Sequence, residues 1–155
     1  MFDQKFRKHW RSYVLQSGLA ALTVLVLILV LTTQEAVLVA SIGASAFIVF
    51  AMPNSIAARV RNVLGGQFFG LICGGLCYLL PHSGSFSLAL VCALAVGLSM
   101  LVMVSTNTEH PPAAGTALAL ALEGATLEVL VTVMASAAIL SLARLIAGKK
   151  LRDLV

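Results

Sequence analysis

Residues 107–116 read Asn107-Thr108-Glu109-His110-Pro111-Pro112-Ala113-Ala114-Gly115-Thr116, a polar stretch with a proline pair between long apolar segments. Each proline fixes its own φ and disfavours α conformation in the residue before it. Glu109-His110-Pro111 is therefore expected to run extended, with Pro112 or Ala113 opening a helix. The first turn of a helix carries N–H groups without intrahelical partners, here those of Ala113, Ala114 and Gly115. At membrane depth such a turn would favour a small anion. The plainer alternative is that the His-Pro-Pro unit shapes a turn and His110 caps a neighbouring backbone carbonyl.

The surroundings of this stretch read as membrane. Of 155 residues, 60% are hydrophobic and 10% charged, with mean hydropathy +1.03, whereas soluble domains carry about 25% charged residues. The length suits a single transmembrane domain, 1–155, all-α, with about six spans of roughly 20 residues. Net charge +4 reports topology here rather than nucleic-acid binding. The basic residues fall in three patches: Lys5, Arg7, Lys8 and Arg11; Arg59 and Arg61; and Arg144, Lys149, Lys150 and Arg152. The positive-inside rule places all three, and both termini, in the cytoplasm of a bacterial inner membrane. Cys73, Cys77 and Cys92 lie in apolar runs and read as reduced packing residues, with no metal site expected.

Taken in order, residues 1–12 suit an amphipathic stub at the headgroups or a solvated tail, and Val14 to Leu31 a first, retained span. Thr32-Thr33-Gln34-Glu35 turns outside. Ala36 to Met52 returns, rich in the small residues Ala40, Ser41, Gly43, Ala44, Ser45 and Ala46. Val63 to Leu80 forms a third span with Gly66, Gly70 and Gly74 spaced for close helix contact. Pro81 to Ser85 makes an outer loop in which His82 is a loop residue, and Ser87 to Val104 is the fourth span. Ala113 to Leu122 follows as a short apolar helix of about 15 to 18 Å, against a hydrocarbon core of about 30 Å. Glu123 to Glu128 turns outside, its carboxylates solvated, and Val129 to Ile146 is the last span.

With both termini inside, the crossings must be even in number, so the short helix has to supply the sixth. Long, small-residue and long segments occur twice. Sliding the chain by 72 residues lays Gly115 on Gly43 and gives half-repeats 14–80 and 87–147. A three-span unit has odd parity, so the second copy enters upside down. Inverted repeats of this kind point to a substrate site at their interface.

Glu109-His110-Pro111-Pro112-Ala113-Ala114-Gly115-Thr116 resembles the signature of the HPP family of integral membrane proteins. The resemblance extends through Ala40 to Ala46 and Arg61 to Gln67. It implies a small multi-span membrane protein; some members of photosynthetic organisms are linked to nitrite transport.

The candidate site gathers the amides of Ala113, Ala114 and Gly115, the hydroxyls of Thr108, Thr116, Ser41 and Ser45, the His110 ring, and Glu109, Pro111, Pro112 and Gly43 around them. A singly charged anion such as nitrite can exchange part of its hydration shell for such donors without meeting a full positive charge. Glu109 beside His110 is expected to raise the imidazole pKa, a possible means of moving a proton with the anion. Arg59 and Arg61 either draw anions to the inner mouth or serve topology alone. No cofactor is expected. A membrane-embedded enzyme acting on lipid lacks a recognisable catalytic set, and an accessory subunit of a larger complex stands as the other alternative. Homo-oligomers are expected through the glycine-lined faces.

Overall fold

The computed structural model describes residues 4–31, 36–81 and 83–155. It holds six α-helices and no strand among those residues: α1 Gln4–Leu31, α2 Ala36–Ala51, α3 Val60–Tyr78, α4 Ser85–Ser105, α5 Pro112–Glu123 and α6 Leu127–Ala147. The expected turn at 32–35 and His82 lie outside the described residues. Among the described residues three helices are long and apolar enough to cross a membrane, within α1 (Lys8–Leu27), α4 and α6. The 16 residues of α2 and 12 of α5 make helices of about 24 and 18 Å.

Helix ends follow local chemistry. Thr126 Oγ1 accepts from the Val129 N–H at 3.2 Å, and Glu128 in the first turn and Arg144 in the last suit the dipole of α6. Gly124, at φ 92°, stops α5 and returns its N–H to the Leu120 carbonyl at 2.9 Å. The stub expected before the first span is instead continuous with it, bent at His9 (φ −128°, ψ 21°). A short 3-10 turn, Ile56–Ala58, and extended Arg59 lead into α3. The helix thus begins at Val60, three residues ahead of the expected Val63, and takes Arg61 and Asn62 out of the loop.

Hydrogen bonds gather the basic segments at one end of the bundle. Gln16 of α1 donates to the Phe50 and Arg152 carbonyls and accepts from the Arg152 N–H, while the Leu154 N–H reaches the Ala51 carbonyl at 2.9 Å. Arg144 donates to the Pro53 carbonyl at 2.6 Å, and Arg61 to that of Thr106 at 2.8 Å. The opposite end brings Gly124 against the Tyr78 ring. Successive helices therefore alternate in direction.

The closest crossing joins α3 to α5. A Cβ at Gly66 would stand 2.5 Å from His110 Cβ, one at Gly70 2.5 Å from the Ala113 carbonyl oxygen, and one at Gly74 2.5 Å from that of Ala117. Only bare backbone fits along this line. The glycine face is thereby used inside the chain, which corrects the expectation that it serves contacts between copies. Between α1, α2 and α6 the core is apolar, built on Leu27, Ile42, Val49, Phe50 and Leu140. Outward positions such as Phe86, Leu127 and Ile146 are large and exposed, as a lipid-facing surface requires.

Candidate functional site

Where α2, α3 and α5 meet near the basic end, polar side chains replace the apolar core. Ser41, Ser45, Gln67, His110 and Thr116 are all buried. All but His110 occupy positions dictated by their helices. Ser41 and Ser45 stand one turn apart on α2, so both face α5. Gln67 comes from α3 beside the glycine line, and Thr116 is the fifth residue of α5.

His110 lies in the connection between α4 and α5, outside the spanning helices, and is 0% exposed. Its Nδ1 donates to the Ala57 carbonyl at 2.8 Å, since a carbonyl can only accept. In the neutral ring Nε2 must then accept, from the Ser45 hydroxyl at 2.9 Å. The chain continues from Gln67 Nε2 to Ser45 Oγ at 3.3 Å, and from Thr116 Oγ1 to Gln67 Oε1 at 2.7 Å. It ends with Ser41, 2.8 Å from Thr116 Oγ1 and 2.7 Å from the Pro112 carbonyl. In an apolar bundle each of these groups would be costly unpaired, so the network holds the three helices in register.

Several expectations are corrected here. Pro111 is helical (φ −50°, ψ −37°) rather than extended and forms the N-cap of α5, against the preference imposed by the following proline; its neighbours His110 and Ala113 are both held against glycines of α3. The Ala113 and Ala114 N–H groups are already bonded, to the His110 and Pro111 carbonyls at 2.9 and 3.0 Å. A first turn closed on itself offers neither amide to an anion. Glu109 does not face the imidazole; its carboxylate and its carbonyl both accept from Asn62 Nδ2 at 3.2 Å. Burial instead pushes the His110 pKa down from 6.5 to about 4, the Ala57 hydrogen bond opposing it. The ring is neutral at pH 7.

Of the other candidates, Gly115 borders the Ser41 side chain, with its Cβ position 3.6 Å from Ser41 Cβ. Thr108 is buried but sits apart, bonded to Thr106 and packed on Gly65. Gly43 lines a different cavity, with Gln16 and Phe50 between α1 and α2. Gln67 and Asn62 were not among the candidates. The available signal was an amide inside a glycine-rich apolar helix, where every polar group needs a partner.

Two cavities flank the His-Pro-Pro segment. An open groove of about 540 Å³ between α2 and the start of α5 is lined by Val37, Phe47, Ile48, Pro111, Pro112 and other apolar residues, with Ser41 its one polar side chain. A smaller one of about 240 Å³ on the α4 side is lined by Met100, Met103, Glu109, His110, Pro111 and Ala114. No cluster of His, Cys, Asp and Glu suited to a metal ion occurs among the described residues.

The profile of the family described as HPP, transmembrane region, matches residues 5–152. The chain belongs to the HPP transmembrane family. Two transmembrane proteins of Dictyostelium discoideum are similar: one is 39% identical over 88 residues, 57% of this chain and 31% of the relative. The other is 33% identical over 81 residues, 52% of this chain and 26% of the relative. The chain thus matches less than a third of the length of either relative. No solved structure matches. Family membership and the apolar helices make this HPP chain a multi-pass membrane protein.

Proposed function

We propose that this HPP chain moves a small inorganic anion across the membrane, with nitrite the first candidate. The observation that carries this reading is the concentration of neutral hydrogen-bonding groups, three hydroxyls, an amide and an imidazole, buried between α2, α3 and α5. Beside an open groove such groups can replace part of an anion's hydration shell while binding weakly enough for release.

The donors differ from those expected. The Ser41 hydroxyl, which lines the groove, turned from the Pro112 carbonyl, takes the place of the closed amides of α5. Arg59 and Arg61 at the same end would raise the local anion concentration. Six crossings with the basic end in the cytoplasm of a bacterial inner membrane fit the alternating helix directions. The half-repeat reading is supported by part of the packing: the pairs α1 with α2 and α2 with α6 correspond to α4 with α5 and α5 with α3, while α1 touches α6 far more sparsely than α4 touches α3. Exchanging the halves turns the first two pairs into the second two.

Reconstitution into sealed vesicles tests this reading. Nitrite uptake above that of protein-free vesicles is expected from the purified chain alone. Lipid turnover would favour an enzyme instead, and silence until a partner is added an accessory subunit.

A further inference from the structure

The hydrogen-bond chain has an acceptor at both ends. It runs from the Ala57 carbonyl through His110, Ser45, Gln67, Thr116 and Ser41 to the Pro112 carbonyl, six contacts in all, and each contact needs one proton. Neutral side chains bring five: one from the imidazole, three from the hydroxyls, and one from the Gln67 amide, whose other contact is made by its carbonyl oxygen. Turning the amide over moves the shortfall without removing it. Only an imidazolium supplies the sixth proton, with Nε2 donating to Ser45 and every later bond reversed as far as Ser41. An anion can only accept, so its arrival in the groove beside Ser41 deepens the shortfall.

We propose that His110 is a proton-binding site filled together with the anion, so that one proton accompanies each monovalent anion. This rests on the transport reading above. One proton from the releasing compartment forms the N–H bond at Nε2, no other covalent bond changes while the Gln67 amide turns over and the hydrogen bonds reverse, and the loaded site gains no net charge. On the far side the anion leaves and Nε2 returns its proton.

The charged groups around the ring are few. On its own connection Glu109 is held by Asn62; at the start of α3 Arg61 is held by the Thr106 carbonyl, and Arg59 precedes it. The α2 and α4 helices carry no charged residue, and they present Ser45 and Met103 to this region; α5 has only Glu123, at its far end. In the empty site burial keeps the ring neutral, which limits proton leakage. An anion nearby favours the charged ring and brings the proton in.

The test uses the full chain in sealed vesicles holding a pH-sensitive dye, with potassium and valinomycin clamping the membrane potential and protein-free vesicles subtracted for permeation of nitrous acid. An inward nitrite gradient should acidify the lumen by about one proton per nitrite. Uptake should be indifferent to the clamped potential and rise close to tenfold per unit as external pH falls from about 7.5 to 6.5. H110Q, whose amide can donate to Ala57 and accept from Ser45 without titrating, should lose that pH dependence. Should H110Q fail to fold, the wild-type protein in detergent is titrated with nitrite in weak buffer, and uptake of about one proton per nitrite bound is expected. Nitrite flux that follows the membrane potential and carries no protons overturns this inference and leaves transport standing. Absence of any flux above protein-free vesicles removes both.

Discussion

His110 is tied on both ring nitrogens, to the Ala57 carbonyl and to Ser45, and this double attachment decides what its neighbours can do. Gln67 is the next link and the more informative one to cut. Gln67→Leu keeps the bulk on α3 but removes both links through the amide, leaving Ser45 bonded only to His110 and Thr116 only to Ser41. A loss of about 0.5 to 1.5 kcal/mol is expected for each of the two hydrogen bonds so removed. Thermal unfolding in detergent should show the variant melting clearly below wild type. Acid should act on the same residue. The folded ring, at about 4, gives up its proton more readily than an unfolded histidine at 6.5, so the unfolded chain is protonated first as pH falls. Stability should be whole above about pH 6.5 and decline as pH is lowered toward 4. A melting temperature flat across that window, or rising, would contradict the neutral-ring assignment. At this scale the sequence was only partly informative. His110 and Ser45 stand out as polar residues in apolar surroundings, but their pairing across 65 positions depends on how α2 and α5 pack. The Glu109 partnership expected from adjacency failed because neighbouring side chains diverge at a turn, and Asn62 lies where the carboxylate points.

At the scale of elements, the α3–α5 crossing sets the site by bringing Gln67 beside Thr116. Adding methyl groups along it should cost in proportion to what they meet. Gly70→Ala, which drives Cβ to 2.5 Å from a backbone carbonyl, is expected to lose about 1 to 3 kcal/mol or more through overpacking. Gly97→Ala meets nothing within 4 Å on α4 and should be neutral or stabilising by up to about 1 kcal/mol, the helix-propensity difference. Paired melting curves of the two variants check both signs. The elements themselves were largely readable. Pro112 and Gly124 bracket α5, and the apolar lengths of α1, α4 and α6 exceed what a soluble core needs. The start of α3 was not, because Arg61 and Asn62 look like loop residues until Thr106 and Glu109 are seen to take their donors. The use of its glycines also stayed open, since the same spacing serves contacts within a chain or between chains.

For the whole molecule, the alternation of six helices puts Asn54 and Thr126 at opposite ends, both exposed. Cysteines introduced singly there should be labelled by a membrane-impermeant maleimide from opposite sides, Asn54→Cys from the cytoplasm and Thr126→Cys from outside. The native thiols are buried and should stay silent. Labelling of both from one side would exclude the six-crossing arrangement. The basic patches are what suggest this topology in the sequence, whereas the groove beside Ser41 exists only once α2 and α5 are packed. The central claim, that the chain of hydrogen bonds through Gln67 is the polar centre of an anion pathway, is tested most directly by initial nitrite uptake into vesicles holding equal amounts of folded wild type or Gln67→Leu. Wild-type uptake well above protein-free vesicles, with the variant reduced at least about tenfold, is the expected result. Equal uptake by both proteins, or none by wild type, would contradict the account.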